Sequence, residues 1–254
     1  MTSDTTTPAY SGKQVCKYRK LRFALTNAYA LLVFAFIAGA FGALAMPPYS
    51  LWPVLIASLS ALYIFMNASE SGALSFGMGW MFGFGYFLFG LSWIGNALLV
   101  EGNDYRWAYP LALCGLPMLL AFFPAIAAYL AGRANLKTLP GFLFFVGIFG
   151  AFEGMRGTML TGFPWNLFGY SWAGTLPMAQ IASLTGIYGL SVLTIAGFSL
   201  PAFIVVHRTK PAYVWLTGLI IFGLFLSGYI FGHQRLANNP TVFDENIQIV
   251  LVQP

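Results

Sequence analysis

The residues best suited to chemistry lie in one short stretch, LTGFPWNLFGYSW at positions 160–172, and just before it. Arg156 stands four residues before this stretch, and Glu153 stands three residues before Arg156. Residues three apart on a helix lie on the same face, so these two side chains can form an ion pair. The planar guanidinium group is suited to a phosphate, and we expect Arg156 to bind one while Glu153 holds it in place. The alternative is an ion pair whose only effect is to neutralise both charges.

Aromatic and amide side chains in the same stretch could hold a ligand beside the arginine. Pro164 and the glycines at 162 and 169 are expected to interrupt helical geometry there. An earlier segment contributes a tryptophan and an asparagine, which could line the same cavity. The candidate binding residues are Glu153, Arg156, Phe163, Trp165, Asn166, Tyr170, Trp93 and Asn96. We interpret Phe168 and Trp172 as part of an interfacial aromatic belt.

Neither catalytic residues nor a metal site can be assigned from this sequence. Covalent catalysis needs a nucleophile with an adjacent base, and neither Cys16 nor Cys114 has one nearby in the sequence. His207 and His233 have no partner at the spacing of metal ligands. We expect no cofactor.

The composition points to a protein whose solvent is lipid. Of 254 residues, 59% are hydrophobic and 7% are charged, whereas a soluble domain has about 25% charged residues. The net charge of +5 comes from basic residues in short gaps between apolar runs, without a basic patch or recognition motif. This distribution excludes nucleic-acid binding and is typical of loops in a membrane protein.

Seven apolar segments are candidates for membrane-spanning helices, which need about 20 residues each. They run from 21 to 45, 51 to 66, 73 to 100, 108 to 131, 139 to 159, 176 to 206 and 212 to 231. The first is too long for a cleaved signal peptide and is expected to stay as an anchor. The sequence therefore predicts an all-α polytopic membrane protein with a seven-helix domain over 21–231.

The distribution of lysine and arginine predicts the orientation. One side of the membrane receives nine of them: Lys13, Lys17, Arg19, Lys20, Arg22, Arg133, Lys137, Arg208 and Lys210. The other receives Arg106, Arg156 and Arg235. We therefore expect residues 1–20 in the cytoplasm, with residues 160–172 and the tail 232–254 on the far side.

Two further patterns concern packing and the end of the chain. Gly79 and Gly83 have the G-x-x-x-G spacing that lets helices approach closely. The final IQIVLVQP, residues 247–254, is rich in β-branched residues and predicts a single β-strand. A lone strand has no partner, so the chain reads as if it were entering a soluble domain.

Three motifs in order resemble the bacterial apolipoprotein N-acyltransferases. They are GFGYFLFGLSWIGNALLV at 83–100, FEGMRGTMLTGFPWNLFGYSW at 152–172 and IASLTGIYGLS at 181–191. The closing IQIVLVQP resembles the first strand of the nitrilase-like (carbon-nitrogen-hydrolase) domain of those enzymes. The resemblance extends over nearly the whole chain from about residue 31.

The resemblance implies an enzyme of the bacterial inner membrane with an N-terminus in the cytoplasm and its chemistry in the periplasm. Such an enzyme takes an acyl chain from a phospholipid and passes it to the lipidated N-terminal cysteine of a diacylated apolipoprotein, through a thioester. The catalytic glutamate, lysine and cysteine of the family lie in the nitrilase-like domain and have no counterparts in these 254 residues. We therefore expect this chain alone to be inactive.

Two other interpretations stay open at the level of sequence. The chain could be a non-catalytic membrane partner of a separately encoded nitrilase-like domain. It could instead be a small-molecule transporter, although few ionisable residues lie within its spans and no half of it resembles another.

Overall fold

The computed structural model describes residues 28–69, 71–159, 162–207 and 212–240, and these residues form helices joined by short loops. The main helices are α1 (Ala28–Ala45), α2 (Trp52–Ala68), α3 (Gly72–Gly90), α4 (Arg106–Ala131), α5 (Leu139–Thr158), α6 (Ala182–Val206) and α7 (Ala212–Asn238). Six are long and apolar enough to cross a membrane, and α2, with 17 residues, is shorter. The predicted all-α polytopic membrane fold is confirmed. The strand predicted at 247–254 lies outside the described residues.

Local sequence signals explain where two of these helices begin. The Thr138 hydroxyl accepts a hydrogen bond from the Gly141 backbone N–H at 3.2 Å and caps α5. Ser71 caps α3 in the same way through the Leu74 N–H, at 3.4 Å. These caps satisfy backbone donors that a helix leaves free at its first turn.

Glycines on α3 allow close approach on two sides of the helix, as the G-x-x-x-G spacing predicts. A Cβ on Gly79 would lie 2.5 Å from the Pro124 carbonyl oxygen of α4, and one on Gly83 would collide with the Pro124 ring. Gly85 is pressed in the same manner against the Phe36 backbone of α1. Small residues at these positions let α3 lie directly against both neighbours.

We expect Gly79→Ala to destabilise the bundle by about 1–3 kcal/mol, because the added methyl group meets backbone that cannot rotate away. The measurement is the thermal unfolding midpoint of the purified protein in detergent. Gly147→Ala is the matched control, since a Cβ on Gly147 meets nothing within 4 Å. That variant should unfold at an unchanged or higher temperature, because alanine favours helix over glycine. Equal effects of the two variants would contradict close α3–α4 packing.

Three helix boundaries differ from the sequence predictions. Helix α3 ends at Gly90, and 3₁₀ turns over Ser92–Leu99 replace its expected continuation to residue 100. Helix α6 begins at residue 182, after a separate one-turn helix at Leu176–Ala179. Helix α7 continues to Asn238, beyond the expected end at 231. Apolar composition alone predicted the end of α3 wrongly because it does not register the backbone turn at Leu91, where φ is −115° and ψ is 10°.

The aromatic rings at both ends of the segment 168–172 are buried instead of lying in a surface belt. Phe168 and Trp172 are each 4% exposed. The Trp172 ring lies 5.0 Å from that of Trp52 and 5.4 Å from that of Phe198, and its indole N–H donates to the Thr194 hydroxyl at 2.9 Å. The belt interpretation is therefore wrong for Phe168 and Trp172. The Trp172 ring packs between α2 and α6, whereas the Phe168 ring lies 5.3 Å from that of Tyr86 on α3.

Candidate functional site

A cavity of about 510 Å³ lies where three connecting segments meet at one end of the bundle. These segments are the α1–α2 turn, the end of α3 with its 3₁₀ continuation, and the loop after α5. The lining residues are Met46, Pro47, Gly90, Trp93, Pro164, Trp165, Asn166, Tyr170 and Ala173. Every one of these side chains is uncharged, and most are apolar, as is usual for a pocket that takes a small organic ligand.

The loop after α5 is held in shape by Arg156. The Nη1 atom of Arg156 donates to the carbonyl oxygens of Phe163 at 2.8 Å and Trp165 at 2.7 Å. Its Nη2 atom donates to Glu153 Oε1 at 3.0 Å and faces the Asn166 carbonyl oxygen at 3.5 Å. One guanidinium group thus provides hydrogen-bond donors to three backbone carbonyls in the irregular segment 163–166.

Glu153 completes this arrangement from the other side of the arginine. Its Oε2 atom accepts the backbone N–H of Phe168 at 2.8 Å, and its Oε1 atom carries the ion pair. Glu153 is 6% exposed and Arg156 is 1% exposed. We call Glu153 and Arg156 the loop clamp, because together they bind both ends of the segment 163–168.

The clamp lies beneath the large cavity and does not line it. Arg156 and Glu153 border a separate crevice of about 20 Å³ among phenylalanine rings, with the guanidinium 4.9 Å from the Phe87 ring centroid. Because its terminal nitrogens are already engaged by protein oxygens, Arg156 is placed to shape the loop. Its direct contact with a phosphate stays a prediction.

Asn166 stands at the wall of the cavity in an uncommon backbone conformation. Its φ is +53°, and its carbonyl oxygen accepts a hydrogen bond from the Tyr86 hydroxyl at 3.1 Å. Its side-chain Nδ2 atom is buried and has no hydrogen-bond partner among the described residues. That atom lies against Gly90, at a position that the Cβ of any other residue would occupy.

Two tryptophans form one wall of the cavity, and their rings are also exposed on the outside of the protein. The rings of Trp93 and Trp165 meet edge to face with their centroids 5.3 Å apart. They are 50% and 52% exposed, and Tyr170 beside them is 37% exposed. Aromatic rings that are half exposed at the end of a membrane bundle suit the level of lipid headgroups.

The structure brings four of the sequence candidates together at this cavity: Trp93, Trp165, Asn166 and Tyr170. Phe163 is half-buried against the core and contributes its carbonyl to the clamp. Asn96 is exposed in the 3₁₀ segment and lines neither the cavity nor the crevice. The expectation that Asn96 and Arg156 share one cavity is wrong, because α3 ends before Asn96 and the clamp turns Arg156 inward.

Sequence reasoning missed the residues that complete the walls. Gly90 matters because it lacks a side chain, and Met46 and Pro47 directly follow the first predicted apolar segment, which ends at residue 45. The proline pair at 47–48 and the glycine at the end of a helix were available as signals of a turn. Neither signal says which other loop the turn will meet.

The described residues contain no arrangement suited to covalent catalysis. Cys114 is half-buried in a π-helical turn at Leu111–Gly115 and makes no hydrogen bond to a histidine or carboxylate. Within 28–69, 71–159, 162–207 and 212–240, no three His, Cys, Asp or Glu side chains are grouped to hold a metal ion. The arrangement can bind an amphipathic ligand and place it next to a polar donor.

The family model and the individual relatives that match this chain all point to the same family. The apolipoprotein N-acyltransferase N-terminal domain matches residues 38–200, a range that includes every residue lining the cavity. The apolipoprotein N-acyltransferase of Rhodopseudomonas palustris is 37% identical over 230 residues, which are 87% of this chain and 42% of that protein. Those of Agrobacterium fabrum and Brucella melitensis are each 36% identical, over 92% of this chain and 45% of their own length.

The chain thus spans less than half the length of these curated relatives, and it matches their N-terminal membrane part. The three motifs that suggested the family from sequence all lie within the matched range. The chain belongs to the apolipoprotein N-acyltransferase family.

Proposed function

We propose that these residues form the membrane domain of an enzyme that transfers an acyl chain from a phospholipid to the N-terminal S-diacylglyceryl-cysteine of apolipoproteins. In this proposal the cavity that Trp93 and Trp165 help to line admits the phospholipid from the bilayer. The thioester chemistry belongs to a nitrilase-like domain, on the same polypeptide or on a separate one. Residues 1–254 contribute lipid binding and no nucleophile.

The single observation that carries the proposal is the open, uncharged cavity with half-exposed tryptophans at one end of an apolar bundle. Non-helical backbone at the edge of a membrane is tolerated where it lines a cavity or is buried in protein. The loop 162–175 meets both conditions, because its buried face is fixed by the clamp and its other face lines the cavity.

We further propose that the cavity lies on the periplasmic side of the inner membrane. Arg133 and Lys137 lie in the α4–α5 connection, at the end of the bundle opposite to the cavity. In the sequence, the other lysines and arginines assigned to that side of the membrane precede α1 or fall between α6 and α7. Lysine and arginine collect on the cytoplasmic side of membrane proteins. This orientation places Trp93, Trp165 and Asn166 where a periplasmic catalytic domain could meet the bound lipid.

Photochemical crosslinking tests the proposed function. The chain would be reconstituted in nanodiscs that contain a phospholipid with a diazirine in one acyl chain, and labelled peptides would be located by mass spectrometry. We expect labelling of the segments 46–52, 90–95 and 162–173 above the level seen on the exposed face of α7. Labelling confined to the outer faces of the helices, with none in the three segments, would contradict the proposal.

A further inference from the structure

We propose that a second cavity of the bundle binds one acyl chain of a bilayer phospholipid and retains it as a structural lipid. The cavity is a cleft of about 430 Å³ between α2 and α7, and we call it the side cleft. It shares no lining residue with the cavity at Trp93 and Trp165. A lipid held in the side cleft is therefore additional to the acyl donor of the proposed function and does not depend on it.

Residues from three helices and one loop form the side cleft. Trp52 and Ile56 of α2 lie on one side, and residues between 221 and 229 of α7 lie on the other. The ring of Phe198 on α6 lies between them, with its centroid 6.0 Å from that of Trp52 and 6.3 Å from that of Phe225. The floor of the cleft is thus a row of three aromatic rings that connects α2, α6 and α7.

The side cleft opens sideways because α7 is loosely packed on the bundle. Only 11% of the residues in the most apolar part of α7 are buried, whereas the share is 44% for α6. Phe222 and Leu226 of α7 line the cleft and are 64% and 48% exposed among the described residues. An opening along the flank of an apolar bundle faces the hydrocarbon of the bilayer.

The lining of the side cleft is suited to a hydrocarbon and not to water. The indole N–H of Trp172, whose ring lines the cleft, already donates to the Thr194 hydroxyl at 2.9 Å. The remaining hydroxyl groups of the lining belong to Thr175 and Tyr229, at the end of the cleft near the loop after α5. Apolar cavities without polar partners do not hold ordered water and take up hydrocarbon ligands.

The length of the side cleft corresponds to one leaflet of a bilayer. Its lining residues on α7 extend from Ile221 to Tyr229, and eight residues of helix rise by about 12 Å. The hydrocarbon of one leaflet is about 15 Å thick. An acyl chain can therefore lie along most of the cleft, with the polar part of the lipid beside Thr175 and Tyr229.

The side chains along the side cleft favour a flexible chain over another transmembrane helix. Helices associate in membranes through small residues that let their backbones approach closely. The only such residue that α2, α6 or α7 contributes to the cleft is Gly197, and a Cβ there would collide with the Phe225 ring of α7. The other lining residues of these helices are large, and a hydrocarbon chain adapts to such an irregular surface.

Photochemical labelling of retained lipid tests this site. The chain would be reconstituted with a phosphatidylcholine that carries a diazirine in one acyl chain, extracted and washed in detergent, and only then irradiated. Mass spectrometry would locate the adducts. We expect adducts on residues 52–56, 222 and 226 about tenfold above those on Leu216 and Ile220, because a chain in contact with protein on several sides dissociates less readily.

A tryptophan placed in the side cleft should displace the lipid. Leu226 lines the cleft and is about half exposed, so the larger side chain of Leu226→Trp fits without entering the core. The variant should lose the adducts on 52–56 and keep the labelling of segment 90–95 in nanodiscs, because that segment belongs to the other cavity. Leu216→Trp is the matched control, since Leu216 is 55% exposed and does not line the cleft. Its adducts should equal those of the wild-type chain.

The outcomes separate the side cleft from the proposed function. Equal labelling of the cleft and of Leu216 and Ile220 in the wild-type chain would overturn the site, even if a variant failed to fold. Adducts on 52–56 that persist in Leu226→Trp would show general contact with the bilayer and would also overturn it. A cleft without adducts in a chain that migrates as a dimer would mean that a second copy covers it. Labelling of segment 90–95 tests the proposed function separately in each case.

Discussion

Replacing Arg156 by methionine is expected to destabilise the protein by about 3–5 kcal/mol, because Glu153 is left as an unpaired carboxylate in the interior. The variant also releases the carbonyls of Phe163 and Trp165, which have lost their donor. The thermal unfolding midpoint in detergent should therefore fall strongly, and the loop after α5 should become accessible to protease. The Glu153→Gln variant should also be destabilised, since it leaves the guanidinium without its counter-charge.

A double-mutant cycle tests whether Glu153 and Arg156 stabilise the protein as a pair or independently of each other. The variant with both Arg156→Met and Glu153→Gln removes both charges together, so it should lose less stability than the sum of the single variants. An additive double variant, or single variants that lose less than about 1 kcal/mol, would contradict the clamp. A Glu153→Gln variant that stays stable but loses lipid binding would instead support the hypothesis that Arg156 is held for a phosphate.

Replacing Trp165 by alanine is expected to weaken phospholipid binding about 10- to 100-fold. The indole ring supplies a wall of the cavity and meets the Trp93 ring edge to face at 5.3 Å. Burial of a large apolar side chain against a ligand stabilises by about 1.5–3 kcal/mol, and every 1.4 kcal/mol corresponds to about tenfold in affinity. The measurement is a titration with phosphatidylcholine followed by native mass spectrometry.

Trp107→Ala is the matched control for this prediction. Trp107 is 74% exposed and does not line the cavity, so its loss should leave the affinity within about twofold. The unfolding midpoint of Trp165→Ala should change little, because its ring is half exposed. Equal loss of affinity in the two variants would mean that tryptophans act only through general contact with the membrane.

Six of the helices could be predicted from sequence because each is an apolar run of the length that a bilayer requires. The Gly79–Gly83 spacing likewise predicted close packing of α3, since the absence of a side chain has the same consequence in any helix pair. The end of α3 could not be predicted in this way. Residues 91–100 are apolar enough to continue a helix, but the backbone turns at Leu91 and continues as 3₁₀ turns, with Gly95 lying against the Tyr109 ring.

Part of the membership of the candidate site was predictable from sequence, but the roles of its residues were not. The spacing of Glu153 and Arg156 predicts their ion pair, which the structure contains at 3.0 Å. The same spacing does not reveal that the guanidinium also bonds to carbonyls seven and nine residues later in the chain. Those contacts depend on the path of an irregular loop. The position of the Asn166 side chain against Gly90, which belongs to α3, depends on the same path.

The central claim is that the cavity lined by Trp93 and Trp165 holds a phospholipid. Its most direct test is anomalous X-ray scattering from crystals grown in a lipid phase that contains a phospholipid with brominated acyl chains. We expect bromine peaks inside the bundle end, in the cavity bordered by the two tryptophan rings, Met46 and Gly90. Bromine peaks only around the outer circumference of the helices, with the cavity free of them, would contradict the claim.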